Sequence, residues 1–202
     1  MGRPRIHDEH TRARLLRATE QAVAQRGLEA VSIRIAAEEA GTSTRAVYAL
    51  FGSKDGLLQA LAQHAFELLM EQVAGVPVSD DPGNDLITAA VDGFRRFAIE
   101  HPDLFRLFFT AQPARPQLSE QANATRLAAL SLLIHRVERA KIAGRVGTHS
   151  VEEVTVLWDA LCCGLAMREL CGPISAADAE RVWTGALRAL LAGLGTVSPG
   201  DS

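Results

Sequence analysis

Between residues 40 and 58 the chain reads AGTSTRAVYALFGSKDGLL, a run dense in hydroxyl and basic side chains. Thr42, Ser43, Thr44 and Tyr48 carry hydroxyls that can donate to anionic oxygens. Arg45 offers a planar fork of donors that fits a phosphate or the O6/N7 edge of guanine. Lys54 adds a point charge. Together these groups could recognise a polyanion, with one of them able to discriminate its bases.

Such groups work only if short elements hold them outward. Ser32 can cap a helix from Ile33 to Ala40, and Gly41 supplies the left-handed residue that ends it. Ser43 can cap a third helix, Thr44 to Phe51, and Ser53 a fourth running to about Val73. The spacing of Ala37, Gly41 and Val47 is that of a helix-turn-helix. A small Ala allows close crossing, Gly the sharp turn, and Val the packing back between the helices. On the third helix Val47, Leu50 and Phe51 then face inward, which leaves Thr44, Arg45 and Tyr48 outward. Lys54 falls in the first turn of the fourth helix, where the helix dipole disfavours a cation and a bound phosphate would offset that. A first helix over 8–26, striped by Leu15, Leu16, Thr19, Ala22 and Val23, completes a three-helix head.

Charge distribution agrees with this placement. The 202 residues carry a net −3, but residues 1–55 hold nine basic groups against seven acidic ones, so this part is +2 and the remainder −5. A basic head on an acidic body fits a nucleic-acid-facing unit joined to something else. Strand-like alternation is scarce and helical periodicity pervades, so the expected fold is all-α with about nine helices. No run of about twenty residues lacks charge, which argues against a membrane span. The N-terminus has no secretory pattern, and Cys162, Cys163 and Cys171 form no disulfide or zinc framework, so they read as small buried side chains in a reducing cytoplasm.

The stretch IRIAAEEAGTSTRAVYALFGSKDGLL resembles the DNA-binding head of the tetracycline-repressor (TetR) family of bacterial transcription regulators. The likeness covers roughly residues 10–60, with Ala37, Ala40-Gly41, Ser43, Tyr48, Phe51, Lys54 and Leu57 in register. It implies that Tyr48 and Lys54 hold phosphates. Thr42, Thr44 and Arg45 would face bases or nearby phosphates, Arg34 would support the backbone contacts, and Arg3 and Arg5 would form an arm near the minor groove. The order Ile35-Ala36 is exchanged relative to the family's usual polar-then-aliphatic pair. Downstream, FRRFAIEHPDLFRLFF and LWDALCCGLAMREL resemble one C-terminal subclass of the family, in which a Trp and a His-Gly pair recur. Cys163 stands here in place of that His, before Gly164.

The expected division is a DNA-binding head over 1–52 and a ligand-binding and dimerisation body over 53–202. Within the body, helices over about 85–100, the DLFRLFFT segment, 118–143, 151–171 and 176–193 follow from caps and breakers. Phe94, Phe97, Phe105, Phe108, Phe109 and Trp158 are candidates to line an effector cavity, although aromatic residues at helical spacing also build plain core. The last two helices are apolar on more than one face, as a homodimer interface requires: Val154, Leu157, Leu161, Leu165 and Met167 on one, Val182, Trp183, Ala186, Leu187, Leu190 and Leu191 on the other. No catalytic constellation, cofactor loop or metal set is evident. His101 reads as a helix cap, and His7 with His10 as a solvated pair. The expected function is a ligand-responsive regulator, a repressor released from palindromic double-stranded operator DNA by a small apolar or amphipathic effector. A helical enzyme would need a convergent polar cluster in the body, and an architectural DNA-binding protein a more basic chain.

Overall fold

In the computed structural model the described residues are 3–27, 31–109 and 117–196, with side chains described from residue 8 onward. Among them nine helices form and no strand. Packing divides the chain into two units, residues 1–66 with 111–125 and residues 67–110 with 126–202.

In the first unit α1 (Arg3–Arg26) buries Leu15, Leu16, Thr19 and Ala22, and Val23 is half-buried. It begins at Arg3 rather than near residue 8, so the backbone of the expected arm is helical. Pro4 lies in the first turn, where a missing N–H breaks no helical bond. The side chains of Arg3, Arg5 and His7 lie outside the described residues. Gly27, at φ +76°, ends the helix. Ser32 caps α2 (Ile33–Glu39), its Oγ accepting from Ile35 N at 3.3 Å. Gly41, at φ +59°, then closes α2: its N–H donates to Glu38 O and that of Thr42 to Ala37 O, the paired bonds of a Schellman motif. Ser43 caps α3 (Thr44–Phe51) through Ala46 N at 3.2 Å. Ser53 caps α4 (Lys54–Ala74) through Gly56 N at 3.0 Å. Both α2 and α3 pack on α1, over a core that includes Ala36, Ala37 and Val47. The exchanged pair is accommodated, with Ala36 buried and Ile35 half-buried.

The second unit contains the last turns of α4 and the later helices, apart from the first residues of the helix Glu120–Ile142, which belong to the first unit. α5 runs continuously through Pro82–Thr88, a π-helical segment Ala89–Arg95, and Arg96–Glu100. It starts earlier than expected because Asp81 caps it, accepting from Gly83 N and Asn84 N with Pro82 in the first turn. A Cβ on Gly93 would lie 3.0 Å from Val73 Cα, so this glycine lets α5 approach α4 closely. α6 (Pro102–Phe109), α7 (Glu120–Ile142), α8 (Val151–Leu170) and α9 (Ala176–Gly195) follow. Ser150 and Glu153 make the expected capping box on α8, and Ser175 accepts from Asp178 N at the start of α9. The C-terminal tail after residue 196 lies outside the described residues.

Arg136, Asp85 and Glu169 of this unit are paired with groups distant in the chain, whereas the buried Thr155 Oγ1 has no hydrogen-bond partner among the described residues. Arg136 donates to the carbonyls of Val73, Val76 and Asp85, so it caps the C-terminal end of α4. Asp85 accepts from Ser79 N and Oγ and from Arg139 at 2.7 Å. Arg95 grips Glu169 through two nitrogens, and Trp183 Nε1 donates to the same carboxylate at 2.9 Å. Each pairing removes an otherwise costly buried charge or carbonyl.

Candidate nucleic-acid interface

α3 is held by its caps and by Val47, which is 0% exposed. That anchoring fixes which face remains outside. Thr44 and Arg45 are exposed, and Tyr48 is 55% exposed, unusual for an aromatic ring without a role at the surface. Thr44 and Tyr48 are one turn apart, so their hydroxyls share a face. Thr42 is half-buried where the Schellman turn leaves α2. Ser43 is exposed and uses an acceptor lone pair on the helix cap, which leaves its O–H to donate. Leu50 and Phe51 are half-buried rather than wholly inside.

Lys54 is the first residue of α4 and is half-buried. Arg34 is exposed on α2, its Nε 4.0 Å from Glu38, an ion pair too exposed to hold the guanidinium against a phosphate. The groups expected to meet nucleic acid are thus spread over α2, the turn, α3 and the start of α4, all inside one unit.

Three features of this head were not read from the sequence. Arg14 of α1 donates from Nη2 to the carbonyls of Ala40 and Gly41, the latter at 3.2 Å. A cation is thereby placed at the C-terminal end of α2, where the helix dipole favours it, and the turn is tied to α1. Arg12 lies over the Phe51 ring at 5.7 Å from its centroid. Arg26 pairs with Glu39 at 3.1 Å. Only an Arg-rich α1 opposite a Gly turn hinted at these partners, and that pattern does not specify which arginine reaches which carbonyl.

In the other unit the aromatic candidates separate into two kinds. Phe97, Phe105, Phe108 and Trp158 are buried, whereas Phe94 and Phe109 are half-buried. Phe105 stacks on Phe109 at 5.8 Å, and Phe94 stands edge-on to both. Phe97 meets Phe109 at 5.2 Å and the His101 ring at 5.7 Å. The His101 carbonyl accepts from Phe105 N at the start of α6. The three cysteines are free but not alike: Cys162 is buried, Cys163 half-buried and Cys171 exposed. The expectation that all three are interior therefore fails for Cys171, which sits at the exposed C-terminal end of α8. Val154, Leu165, Trp183 and Leu187 pack inside the chain, while Leu157, with its neighbour Val156, is exposed. Among the described residues no helix is long and apolar enough to cross a membrane.

Comparison with known proteins agrees with this architecture. Residues 15–61 match the family described as bacterial regulatory proteins, tetR family, and residues 87–190 match that described as tetracyclin repressor-like, C-terminal domain. The HTH-type transcriptional regulator BetI of Stenotrophomonas maltophilia (strain R551-3) is 33% identical over 135 residues, which span 63% of this chain and 67% of that protein. A solved structure of a protein with unknown function from Rhodococcus sp. RHA1 is 25% identical with a TM-score of 0.77, covering 92% of this chain and 96% of its own. The fatty acid degradation regulator FadR from Bacillus halodurans shares the fold at a TM-score of 0.76 and 16% identity, over 91% of this chain and 96% of its own. The chain belongs to the tetR family of bacterial regulatory proteins and is a DNA-binding transcriptional regulator.

Proposed function

We propose that the protein is a ligand-responsive repressor that binds a palindromic operator as a homodimer and leaves it when a small amphipathic molecule occupies the body. The outward set Thr44, Arg45 and Tyr48 on a helix anchored by Val47 carries this reading. Arg45 reads a base, Tyr48, Thr42, Ser43 and Lys54 hold phosphates with Thr44 beside them, and Arg34 supports the backbone contacts. In this reading residues 1–52 are the DNA-binding domain and residues 53–202 the ligand-binding and dimerisation domain, a regulator of the cytoplasm with no catalytic role.

Dimerisation is assigned to α8 and α9. Val156 and Leu157 are 67% and 45% exposed on α8, large apolar side chains for which the chain itself provides little cover. A two-fold pairing of these helices gives an isologous interface and two heads, matching a palindrome. The Phe94–Phe109 cluster is assigned to the effector, with Trp158 supporting it from α8. This body is assigned to the Trp-His-Gly subclass, with Cys163 replacing the His. α4, whose first residue is Lys54 and whose last turn is capped by Arg136, is the element through which effector binding reaches the phosphate-holding groups.

Selection from a random double-stranded DNA pool with the full chain tests the reading. The expected product is an inverted repeat with half-site centres about one helical turn, ~34 Å, apart. Sedimentation at micromolar concentration should give a dimer. A monomer, or enrichment of single unpaired half-sites, would refute the assignment.

A further inference from the structure

Gln59 stands on the second turn of α4, with Leu57, Leu58, Ala60 and Leu61 buried around it. Its side chain is half-buried and meets the segment that precedes α7. Gln59 Nε2 donates to the Gln117 carbonyl at 2.6 Å, and Gln59 Oε1 accepts from Ser119 N at 2.6 Å. One primary amide thereby pairs with a backbone acceptor and a backbone donor two residues apart, and those partners fix which way the amide points. Ser119 is in turn the cap of α7. Its Oγ accepts from Ala122 N at 3.2 Å and its carbonyl from Asn123 N at 2.8 Å. All of these residues belong to the first unit.

This clasp contributes position more than stability. Both bonds are open to solvent, so water replaces them in the unfolded chain and their net contribution to folding is small. Their geometry is demanding, because one amide must meet two backbone groups at once, and a shift of α4 by much less than a helical turn breaks both. α4 and α7 each run from one unit into the other. In the second unit Arg136 of α7 bonds the Val73 and Val76 carbonyls at the end of α4. In the first unit the clasp holds α4 in the turn that follows Lys54 and the Ser53 cap. Where this turn sits decides where Lys54 stands.

We propose that Gln59 is a positioning residue for DNA binding: by clasping the cap of α7 it seats the start of α4, so that Lys54 meets a DNA phosphate without further ordering. The proposal rests on the reading that Lys54 holds a phosphate, and it needs neither an effector nor a dimer. Reciprocity follows from linkage. If the clasp favours the DNA-binding position of α4, DNA that holds α4 in that position must tighten the clasp, and with it the cap of α7.

The test uses the full chain and double-stranded DNA. The probe is the duplex selected above or, if no sequence is enriched, the random pool itself at low salt, where backbone contacts suffice for binding. Gln59→Met keeps the length of the side chain and removes both bonds. It should weaken binding about tenfold for all sequences alike and shift the melting temperature little. In a Lys54→Ala background the same change should cost about twofold or less, because the group that Gln59 positions is gone. Exchange of the Ala122 and Asn123 amides, which report the cap of α7, should slow about tenfold when DNA saturates the wild type and should not slow in Gln59→Met. A side chain that merely stabilises the fold would lower the melting temperature, give additive losses in the double variant and leave the cap amides indifferent to DNA. Wild-type DNA affinity in Gln59→Met, additive losses, or cap amides that ignore DNA in the wild type would each overturn the proposal. Lys54→Ala alone keeps the two readings apart. If it weakens binding while Gln59→Met does not, only the clasp fails; if it has no effect, the phosphate reading of Lys54 fails and the proposal with it.

Discussion

Gly56 and Phe51 approach so closely that a Cβ on Gly56 would lie 2.0 Å from the Phe51 carbonyl oxygen. The end of α3 and the first turn of α4 meet at that point, with Ser53 capping the turn between them. The obstructing atom is backbone, so no side-chain rotation relieves the clash. Gly56→Ala should therefore force the two helices apart, at about 1–3 kcal/mol. Thermal unfolding should register the loss, and operator affinity should fall with it because Lys54 moves with α4. A variant with unchanged stability would show that the crossing leaves room for a methyl group.

Arg14 should act on DNA without touching it. Arg14→Met keeps much of the stem and removes the donors to the Ala40 and Gly41 carbonyls. The expected stability cost is about 1–2 kcal/mol, and affinity should fall for all sequences while base preference is unchanged. Arg14→Lys should restore part of both, since an ammonium can still cap the end of α2. A change in preferred sequence on Arg14→Met would contradict a purely positioning role.

The two kinds of aromatic residue should respond differently to truncation. Phe97 is 0% exposed, so Phe97→Ala opens a core cavity and should cost about 3–5 kcal/mol, and Trp158→Ala should behave alike. Phe94→Ala should destabilise less and weaken binding of a small amphipathic effector more. Comparable losses of stability at Phe94 and Phe97, with ligand binding intact at Phe94, would place the effector elsewhere.

Acid stability should carry the signature of Asp85. Burial alone would raise its carboxyl, but hydrogen bonds from Ser79 and Arg139 and the Arg139 charge outweigh that and hold it below its ordinary value. A lowered native pKa gives stability that is fully present above the unfolded value and lost as pH falls through the native one. Asp85→Asn should cost about 1–3 kcal/mol at neutral pH and flatten the acid limb of stability below pH ~4. Equal acid limbs in the two proteins would contradict this role for Asp85.

What the sequence conveyed depended on the range of each interaction. Ser32, Ser43, Ser53, Ser150 and Ser175 cap helices through N–H groups three residues away, so their pattern was legible along the chain. Gly41 was legible because its turn demands a positive φ. The start of α1 was not, since Pro4 breaks nothing in a first turn. The π-helical segment of α5 has no local signature. Arg14 reaches a carbonyl 26 residues on, and Arg136 bonds carbonyls more than 50 residues away, partners that only the fold selects. Helical spacing gave the aromatic set but could not separate the packed Phe97 from the half-buried Phe94, because a cavity wall and a core use the same periodicity. The orphaned Thr155 hydroxyl is visible only once every neighbour is placed.

The central claim, sequence-specific binding through α3, is tested most directly by operator affinity against salt for wild type, Arg45→Ala and Lys54→Ala. Arg45→Ala should cost about 1–3 kcal/mol at one base pair per half-site and relax the preference there. Lys54→Ala should weaken every sequence alike and reduce the magnitude of the slope of log K against log salt by about one for each phosphate that the lysine no longer neutralises. If both variants bind the selected site with wild-type affinity, salt slope and base preference, α3 is not the reading helix and the claim fails.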